Sequence, residues 1–426
     1  MADARDSPAI SRPDILVGFD FDFLLAASQP GLNHHPEDKR HCFVFPPGPP
    51  ESEIQVSHQV FIARSITGLV EAGIHSPALG LKSFPGAQQR PPREPLVTVA
   101  PATLYKRPVR PPGAAGREWM DMRYDWLAIR VRMRPINEFD LEMGEVDAMF
   151  IALRSNLKMQ IDHSCDFRVL VTHAGNLGLD LLTLKKTLTL VWLIEDLLFS
   201  LCAPYRRWRF EGALSFRNLT QWLTEDPSEL GPSALDDEFV LHVPTSISLP
   251  SSFRARLNRL WSTCDPEALA QIVQALSFSV SVKAVDGSVA LEFRMFEGTL
   301  DPGLAKMWAE VCTALVRKGG ESTETYRGLL QKVLIRARTY QSSDGCSPMD
   351  SILADLGVHK TVVADWKRKR KWSEDRLYVD EPRPWIMDEA YRNQAFLPRL
   401  ENDEFAMFSA SPLGWPMGPN KNTGHG

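Results

Sequence analysis

The stretch 289–302 constrains the fold of this chain more than any other part of the sequence. Apolar and charged residues alternate along its first half, which is typical of a half-buried β-strand because successive side chains point to opposite faces. Glu292 and Arg294 are therefore predicted to share one face, with Glu297 just beyond them. An acid, an arginine and a second acid form either a surface ion pair or a site for a metal ion and a phosphate. The pattern alone leaves both interpretations open.

The residues on either side of this strand define its neighbours. Residues 277–285 alternate in the same way, and Asp286-Gly287 is a typical hairpin turn, so the two strands are predicted to pair. On the other side, Asp301 is predicted to cap a helix over 302–318, because proline is favoured at the first helical position and Asp at the cap.

A second strand is predicted over 15–25, where three phenylalanines alternate with Asp20 and Asp22. Aspartate is a poor strand former, so two aspartates on one face of a strand need a physical reason. Either that face is solvated, or the two carboxylates face a cation.

Periodicity predicts the other elements of an α+β fold. Strands are expected over 126–131, 139–143 and 166–171. Helices are expected over 53–73, 146–157, 183–201, 253–261, 266–276, 325–338 and 350–356. Thr183 is the expected N-cap of the third helix. Glu195 lies close to the apolar stripe of that helix, so we expect it to be paired, with an arginine at 206, 207 or 209 as its partner.

Composition argues against several classes of protein. The net charge of −5 gives no electrostatic support for nucleic-acid binding. The six cysteines lack CxxC or histidine-paired spacing, which favours reduced thiols in an intracellular protein over a zinc site. No signal peptide is predicted, and the most apolar run, 188–202, is too short and too charged to span a membrane. We therefore expect a cytoplasmic protein, with a nuclear location as the alternative.

One large domain, 14–360, is expected between two less ordered ends. Residues 1–13 are predicted to be disordered, and 75–117 to form a long insertion, rich in proline and arginine, that could bind an SH3-like protein partner. Residues 361–426 are predicted to form a basic segment and an irregular tail. The basic run between Trp366 and Trp372 is interpreted as a solvated helix face, with contact to phosphate or to a nuclear-import factor as the alternative.

Three segments resemble the amidoligase family, which is related to glutamine synthetase and glutamate–cysteine ligase. Residues 18–23, Gly-Phe-Asp-Phe-Asp-Phe, lie where the family has a Gly-x-Glu-x-Glu-Phe strand. Residues 165–171, Cys-Asp-Phe-Arg-Val-Leu-Val, lie where it has Cys-Gly-x-His-Val-His-Val. Residues 292–301, Glu-Phe-Arg-Met-Phe-Glu-Gly-Thr-Leu-Asp, are close to its Glu-Phe-Arg-Gln-His-x-Gly-Thr-Leu-Asp. The resemblance extends over about 14–360, and the third segment is its most specific part.

The resemblance implies an enzyme that phosphorylates a carboxylate with ATP and lets an amine displace the phosphate, on a small molecule or a peptide. It implies ATP and Mg²⁺ as cofactors. Arg294 would bind phosphate and act in catalysis with Glu297, and Lys185 would help to bind the nucleotide. The acids that would bind the metal ion are Asp20, Asp22 and Glu292. The implied fold is a glutamine synthetase-like catalytic domain, a curved antiparallel sheet with helices packed on one face.

The chain also departs from the family pattern. Both family glutamates are aspartates here, the two histidines are replaced by Arg168 and Leu170, and the Gln-His pair is Met295-Phe296. A guanidinium beside two aspartates leads to the hypothesis that Arg168 supplies the positive charge that a metal ion supplies in the family. Two functions therefore remain open, an active ligase and a catalytically inactive relative that binds a partner.

Overall fold

A computed structural model of the chain describes residues 14–28, 37–44, 53–74, 96–102, 125–142, 144–161, 165–175, 178–202, 237–244, 251–274, 279–285, 288–338 and 348–374. The predicted disorder of 1–13 and the predicted tail from 375 onward lie outside these residues. So does most of the predicted insertion.

The described strands belong to one open sheet. Their bounds are β1 Ile15–Ser28, β2 Phe43–Val44, β3 Val97–Pro101, β4 Asp125–Asn137, β5 Met159–Gln160, β6 Phe167–His173, β7 Val280–Val285 and β8 Ser288–Phe293. The main path runs β3-β4-β1-β6-β8-β7, and every neighbouring pair on it is antiparallel. Short β2 and β5 pair with the end of β1. The predicted antiparallel α+β fold is therefore confirmed.

Helices account for most of the other described residues. Their bounds are α1 Glu53–Ile74, α2 Glu145–Asn156, α3 Leu181–Phe199, α4 Asp237–His242, α5 Ser251–Trp261, α6 Pro266–Gln274, α7 Pro302–Gly319, α8 Thr323–Arg338, α9 Pro348–Leu356 and α10 Lys360–Glu374. Those that were predicted lie within a few residues of their expected bounds. Among the described helices, none combines the length and the apolar character needed to cross a membrane.

The core lies against the apolar face of the sheet. Phe19, Phe21 and Phe23 of β1 are completely buried. The ring of Phe21 stacks on Phe150 of α2 at 5.2 Å. Because strand side chains alternate, packing helices on the phenylalanine face leaves Asp20 and Asp22 on the opposite face of the sheet.

An aromatic cluster links the end of β8 to the helices. The ring of Phe296 stacks on Trp308 of α7 at 5.1 Å and meets Trp366 of α10 edge-on at 5.8 Å. The basic run in α10 is therefore only partly solvated, and the interpretation as a solvated helix face is wrong for Lys369 and Arg370, which are buried. Trp366 and Lys369 are buried one helical turn apart, whereas Lys367 and Arg368 between them are exposed.

Three local expectations were also wrong. A strand was expected over 139–143, but Glu138–Glu142 form a 3₁₀ helix, because the side chain of Asn137 accepts a hydrogen bond from the backbone N–H of Phe139 and turns the chain. The N-cap of α3 is Asp180 and not Thr183, whose N–H donates to the Asp180 carboxylate at 2.8 Å. Strand β3, at the edge of the sheet, lies within the stretch expected to be a loop insertion.

Candidate functional site

The candidate site is the polar face of the sheet, where strand register brings distant charged residues together. Asp20 of β1 lies directly between Arg132 of β4 and Arg168 of β6. Asp22, two residues further along β1, lies opposite Arg130 of β4. Directly opposed residues share a face of the sheet, so Asp20 has an arginine on each side, whereas Asp22 has Arg130 on one side and Asp166 on the other.

The guanidinium of Arg168 contacts three carboxylates. Its Nη1 donates to Oδ1 of Asp20 at 3.2 Å, and its Nη2 donates to Oδ2 of Asp22 at 3.3 Å. The same Nη2 donates to Oδ2 of Asp166 at 3.0 Å. The hypothesis that Arg168 faces both aspartates therefore agrees with the geometry, and Asp166 is a further partner.

Two arginines of β4 complete the arrangement around the aspartates. Arg130 binds Asp22 through two parallel hydrogen bonds, Nε to Oδ1 at 2.7 Å and Nη2 to Oδ2 at 3.1 Å. Arg132 donates from Nη2 to Oδ2 of Asp20 at 3.1 Å. Paired hydrogen bonds of this kind fix both the position and the orientation of a carboxylate.

Burial and charge act in opposite directions on the pKa values of this cluster. Burial raises the pKa of the Asp22 carboxyl, while the hydrogen bond from Arg130 and the charge of Arg168 oppose that rise. Burial alone would lower the pKa of Arg168, but the carboxylates of Asp20, Asp166 and Asp22 outweigh it and raise the pKa. The cluster therefore depends on its charges remaining paired.

Glu292 and Arg294 lie on the same face of the sheet, further along it. Glu292 of β8 accepts a hydrogen bond from Ser281 of β7 at 2.8 Å and is bound by the Nε of Arg294. Nζ of Lys283 lies 3.9 Å from the same carboxylate. Strand β6 separates β8 from β1, so the backbones that bear Glu292 and the aspartates are roughly 10 Å apart.

Two of the predicted site residues have their partners elsewhere. The buried Nζ of Lys185, on α3, donates to Oε2 of Glu238 on α4 at 2.6 Å. Glu297 is buried and forms an ion pair with Lys369 of α10. The structure thus brings Asp20 and Asp22 together with Arg168, and Glu292 together with Arg294, while the side chains of Lys185 and Glu297 contact helices.

Glu195 has a described partner that the sequence did not indicate. Its buried carboxylate accepts a hydrogen bond from the hydroxyl of Ser279, with an O–O distance of 2.5 Å. The arginines proposed as its partners, at 206, 207 and 209, lie outside the described residues. The described partner is the hydroxyl of Ser279, just before β7, and the spacing of residues within α3 could not indicate it.

The acids expected to bind Mg²⁺ do not fit the ion in this geometry. Mg²⁺ needs oxygen ligands at about 2.0–2.1 Å in a near-octahedral shell. Within the described ranges, no group of three or more histidine, cysteine, aspartate or glutamate residues is arranged to hold a metal ion. Asp20, Asp22 and Glu292 each bind a guanidinium instead.

Sequence reasoning missed several residues of this face. Arg130 and Arg132 alternate with buried Ile129 and Val131, which was a usable signal, but β4 was predicted to end before Arg132. Asp166 gave no signal by itself, because its role depends on the pairing of β6 with β1.

Comparisons of the chain with models of known protein families, with curated proteins and with solved structures find no match.

Proposed function

We propose that the polar face of the sheet binds an anionic ligand that bears phosphate or carboxylate groups, and that it does so without Mg²⁺. The chain would then be a catalytically inactive, amidoligase-like binding module. Its ligand would be a small molecule or an anionic segment of a peptide.

The layering of charge supports this proposal. The acids of the face are almost completely buried, with exposed fractions of 3% for Asp20, 1% for Asp22 and 6% for Glu292. The cations above them are more exposed, with exposed fractions of 32% for Arg130, 64% for Arg132, 21% for Arg294 and 35% for Lys283. An approaching ligand therefore meets guanidinium and ammonium groups first, and these groups match phosphate and carboxylate oxygens.

The same layering disfavours a metal ion as ligand. A cation approaching Asp20 or Asp22 must pass arginines and then displace them from both carboxylates. Each displaced guanidinium would have to leave a charge-assisted hydrogen bond, and Arg130 would have to leave two. This competition supports a role that needs no metal ion.

An ATP-dependent ligase that forms an amide bond through an acyl phosphate is the second candidate. The observation in its favour is that Glu292 and Arg294 share a face with Asp20 and Asp22, as the resemblance requires. Activity would need Mg²⁺ to displace the arginines, with Arg294 binding phosphate.

Calorimetry distinguishes the two candidates. ATP, inorganic phosphate and citrate are titrated into the protein with Mg²⁺ and again with EDTA. We expect binding of at least one of these anions in EDTA, and no strengthening by Mg²⁺, because Mg²⁺ masks the phosphate charge. Arg132→Ser and Arg294→Ser should each weaken binding about tenfold or more, since a hydrogen bond to a charged group contributes roughly 1.5–3 kcal/mol. Arg64→Ser, at an exposed position on α1, is the matched control.

The ligase and the binding module predict different titration results. Binding of ATP that requires Mg²⁺, followed by release of ADP, would support the ligase and overturn the proposed binding module. Failure of all three anions to bind in EDTA would also overturn it.

A further inference from the structure

We infer that this face selects a small molecule with two anionic ends joined by an uncharged spacer. Each end would meet one of two cation pairs. The β4 pair is Arg130 and Arg132, and the β8 pair is Arg294, just after β8, with Lys283 of the neighbouring β7. The inference rests on the proposed anion binding and adds the class of anion that the face would prefer.

Strand order and register set the distance between the two pairs. Arg132 and Arg168 lie opposite Asp20 on its two sides. The residue before Arg294, Phe293, lies opposite the residue after Arg168. Arg132 and Arg294 are therefore level with each other across the sheet. Strands β1 and β6 lie between them, so their backbones are three strand spacings, about 14 Å, apart.

Side-chain contacts narrow this distance. Nη2 of Arg132 donates to Oδ2 of Asp20 at 3.1 Å, so its guanidinium leans from β4 toward β1. Nε of Arg294 binds Glu292 of β8, so its guanidinium stays over β8. Because β1 and β8 are two strand spacings apart, the two guanidinium groups are about 10 to 14 Å apart. A single carboxylate or phosphate group cannot reach both, so a ligand that meets both pairs must be elongated.

Both pairs present donors to a ligand. Arg132 is the most exposed of the four cations, with an exposed fraction of 64%. Within the described part of the chain, Nη2 is its only side-chain nitrogen with a hydrogen-bond partner, which leaves Nε and Nη1 as donors for an anion. At the other pair, Nζ of Lys283 lies 3.9 Å from Oε2 of Glu292, which is too long for a hydrogen bond. This ammonium group is therefore placed to donate to a ligand.

The balance of charge explains why one anionic group would be held weakly at either pair. At the β4 pair, three arginines contact three carboxylates, so the local charge is balanced. At the β8 pair, two cations face the carboxylate of Glu292. A ligand that has bound one pair meets the other at an effective concentration in the millimolar range, so two weak contacts combine into a stronger one.

The floor between the two pairs favours an uncharged spacer. Asp20 and Arg168 are both buried there, and Nη1 of Arg168 donates to Oδ1 of Asp20 at 3.2 Å, so their charges offset each other. Leu170, two residues after Arg168 on β6, adds an apolar side chain to the same face. A charged spacer would lose hydration over this floor without gaining an opposite charge that is not already paired. An α,ω-dicarboxylate has the expected form.

Dicarboxylates of graded length test the inference by calorimetry in EDTA. Succinate is too short to span the two pairs, whereas suberate and sebacate are long enough. We expect the better of the two longer dianions to bind one per chain and about tenfold or more tightly than succinate. Octanoate and decanoate are the matched controls, because they have the same chain lengths and only one anionic end. They should show no comparable gain over acetate.

Two variants separate bridging from independent binding at the two pairs. Arg132→Ser and Lys283→Ser each remove a solvent-accessible cation, one from each pair. Each variant should abolish the advantage of the longer dicarboxylate over succinate, because the second end loses its partner. Arg64→Ser, at an exposed position on α1, should keep that advantage. The ratio of two affinities in one variant is the readout, so a general loss of stability would not imitate the result.

The inference and the proposed function fail in different ways. Equal affinity for short and long dicarboxylates, an equal gain for the monocarboxylates, or an advantage that survives in either variant would overturn the inference and leave anion binding intact. Failure of phosphate, citrate and every dicarboxylate to bind in EDTA would overturn the proposed function, and the inference with it.

Discussion

We expect the buried ion pair between Lys369 and Glu297 to contribute strongly to the stability of the packing of α10 on the rest of the fold. The two side chains are 2% and 1% exposed. Nζ of Lys369 also donates to the carbonyl of Leu201 at 2.7 Å and lies 4.7 Å from the centre of the Phe296 ring. Lys369→Met keeps an apolar stem but removes the ammonium, so the Glu297 carboxylate stays buried without its lysine. Removing one partner of a buried ion pair costs roughly 3–5 kcal/mol, and we expect unfolding free energy to fall by that amount.

A double-mutant cycle followed by urea unfolding and tryptophan fluorescence tests this reasoning. Adding Glu297→Gln to Lys369→Met makes both positions neutral and should recover at least about 2 kcal/mol. Lys367→Met makes the same change at an exposed position of the same helix and should stay within about 0.5 kcal/mol of wild type. A cost below about 1 kcal/mol for Lys369→Met, or no recovery in the double variant, would refute the argument.

Three further predictions can be checked by the same unfolding assay. Asp180→Ala should cost about 1 kcal/mol by removing the N-cap of α3, whereas Asp180→Asn should cost less because it keeps an acceptor; equal costs would contradict the capping role. Gly319→Ala should cost about 1–3 kcal/mol of unfolding free energy because its Cβ would overlap the neighbouring helix α3. Gly328→Ala, with open space around the Cβ, should stabilise the protein by about 0.5–1 kcal/mol. A stabilising effect of Gly319→Ala would contradict the close packing of α7 on α3. Burial and nearby positive charges lower the pKa of His242 in the folded protein below its ordinary value of 6.5. The stability gained from keeping this imidazole neutral is therefore fully present above pH 6.5 and is lost as the pH falls through the lower folded-state pKa. His242→Phe, which keeps an aromatic ring, should reduce the loss of stability between neutral and mildly acidic pH. An unchanged pH dependence of stability in this variant would show that His242 is not the group responsible.

The sequence predicted the strands that have one apolar and one polar face. In β1 the alternation of phenylalanine with Asp20 and Asp22 is strict, and the structure buries every phenylalanine as expected. Strand β3 gave no such signal, because it is short, lies at the edge of the sheet, and exposes Thr98 and Ala100. The α10 run was misread because charge composition does not show which helical positions face the core. Lys369 does so one turn after Trp366.

The candidate site shows the same division. Alternation alone placed Asp20, Asp22 and Glu292 on polar strand faces, and the structure agrees with each placement. Arg294, expected in the same strand, lies just after β8, and its Nε binds Glu292. Alternation could not show that Arg130 binds Asp22, or that Asp20 and Asp166 both contact Arg168. Nor could it show that Glu297 would turn to a helix, because the residues after β8 leave the regular alternation of the strand.

The sequence by itself determined which side chains share a face, because the period of a strand or helix is set by local backbone geometry. Only the tertiary structure decided which faces meet. Arg130 lies 108 residues from Asp22, and Arg168 lies 148 residues from Asp20, so their contacts depend on the order and register of whole strands. Register is fixed by burial of the apolar face, and a shift of one residue would turn both aspartates into the core. The pairing of the aspartates with arginines is therefore a consequence of how the phenylalanine face packs.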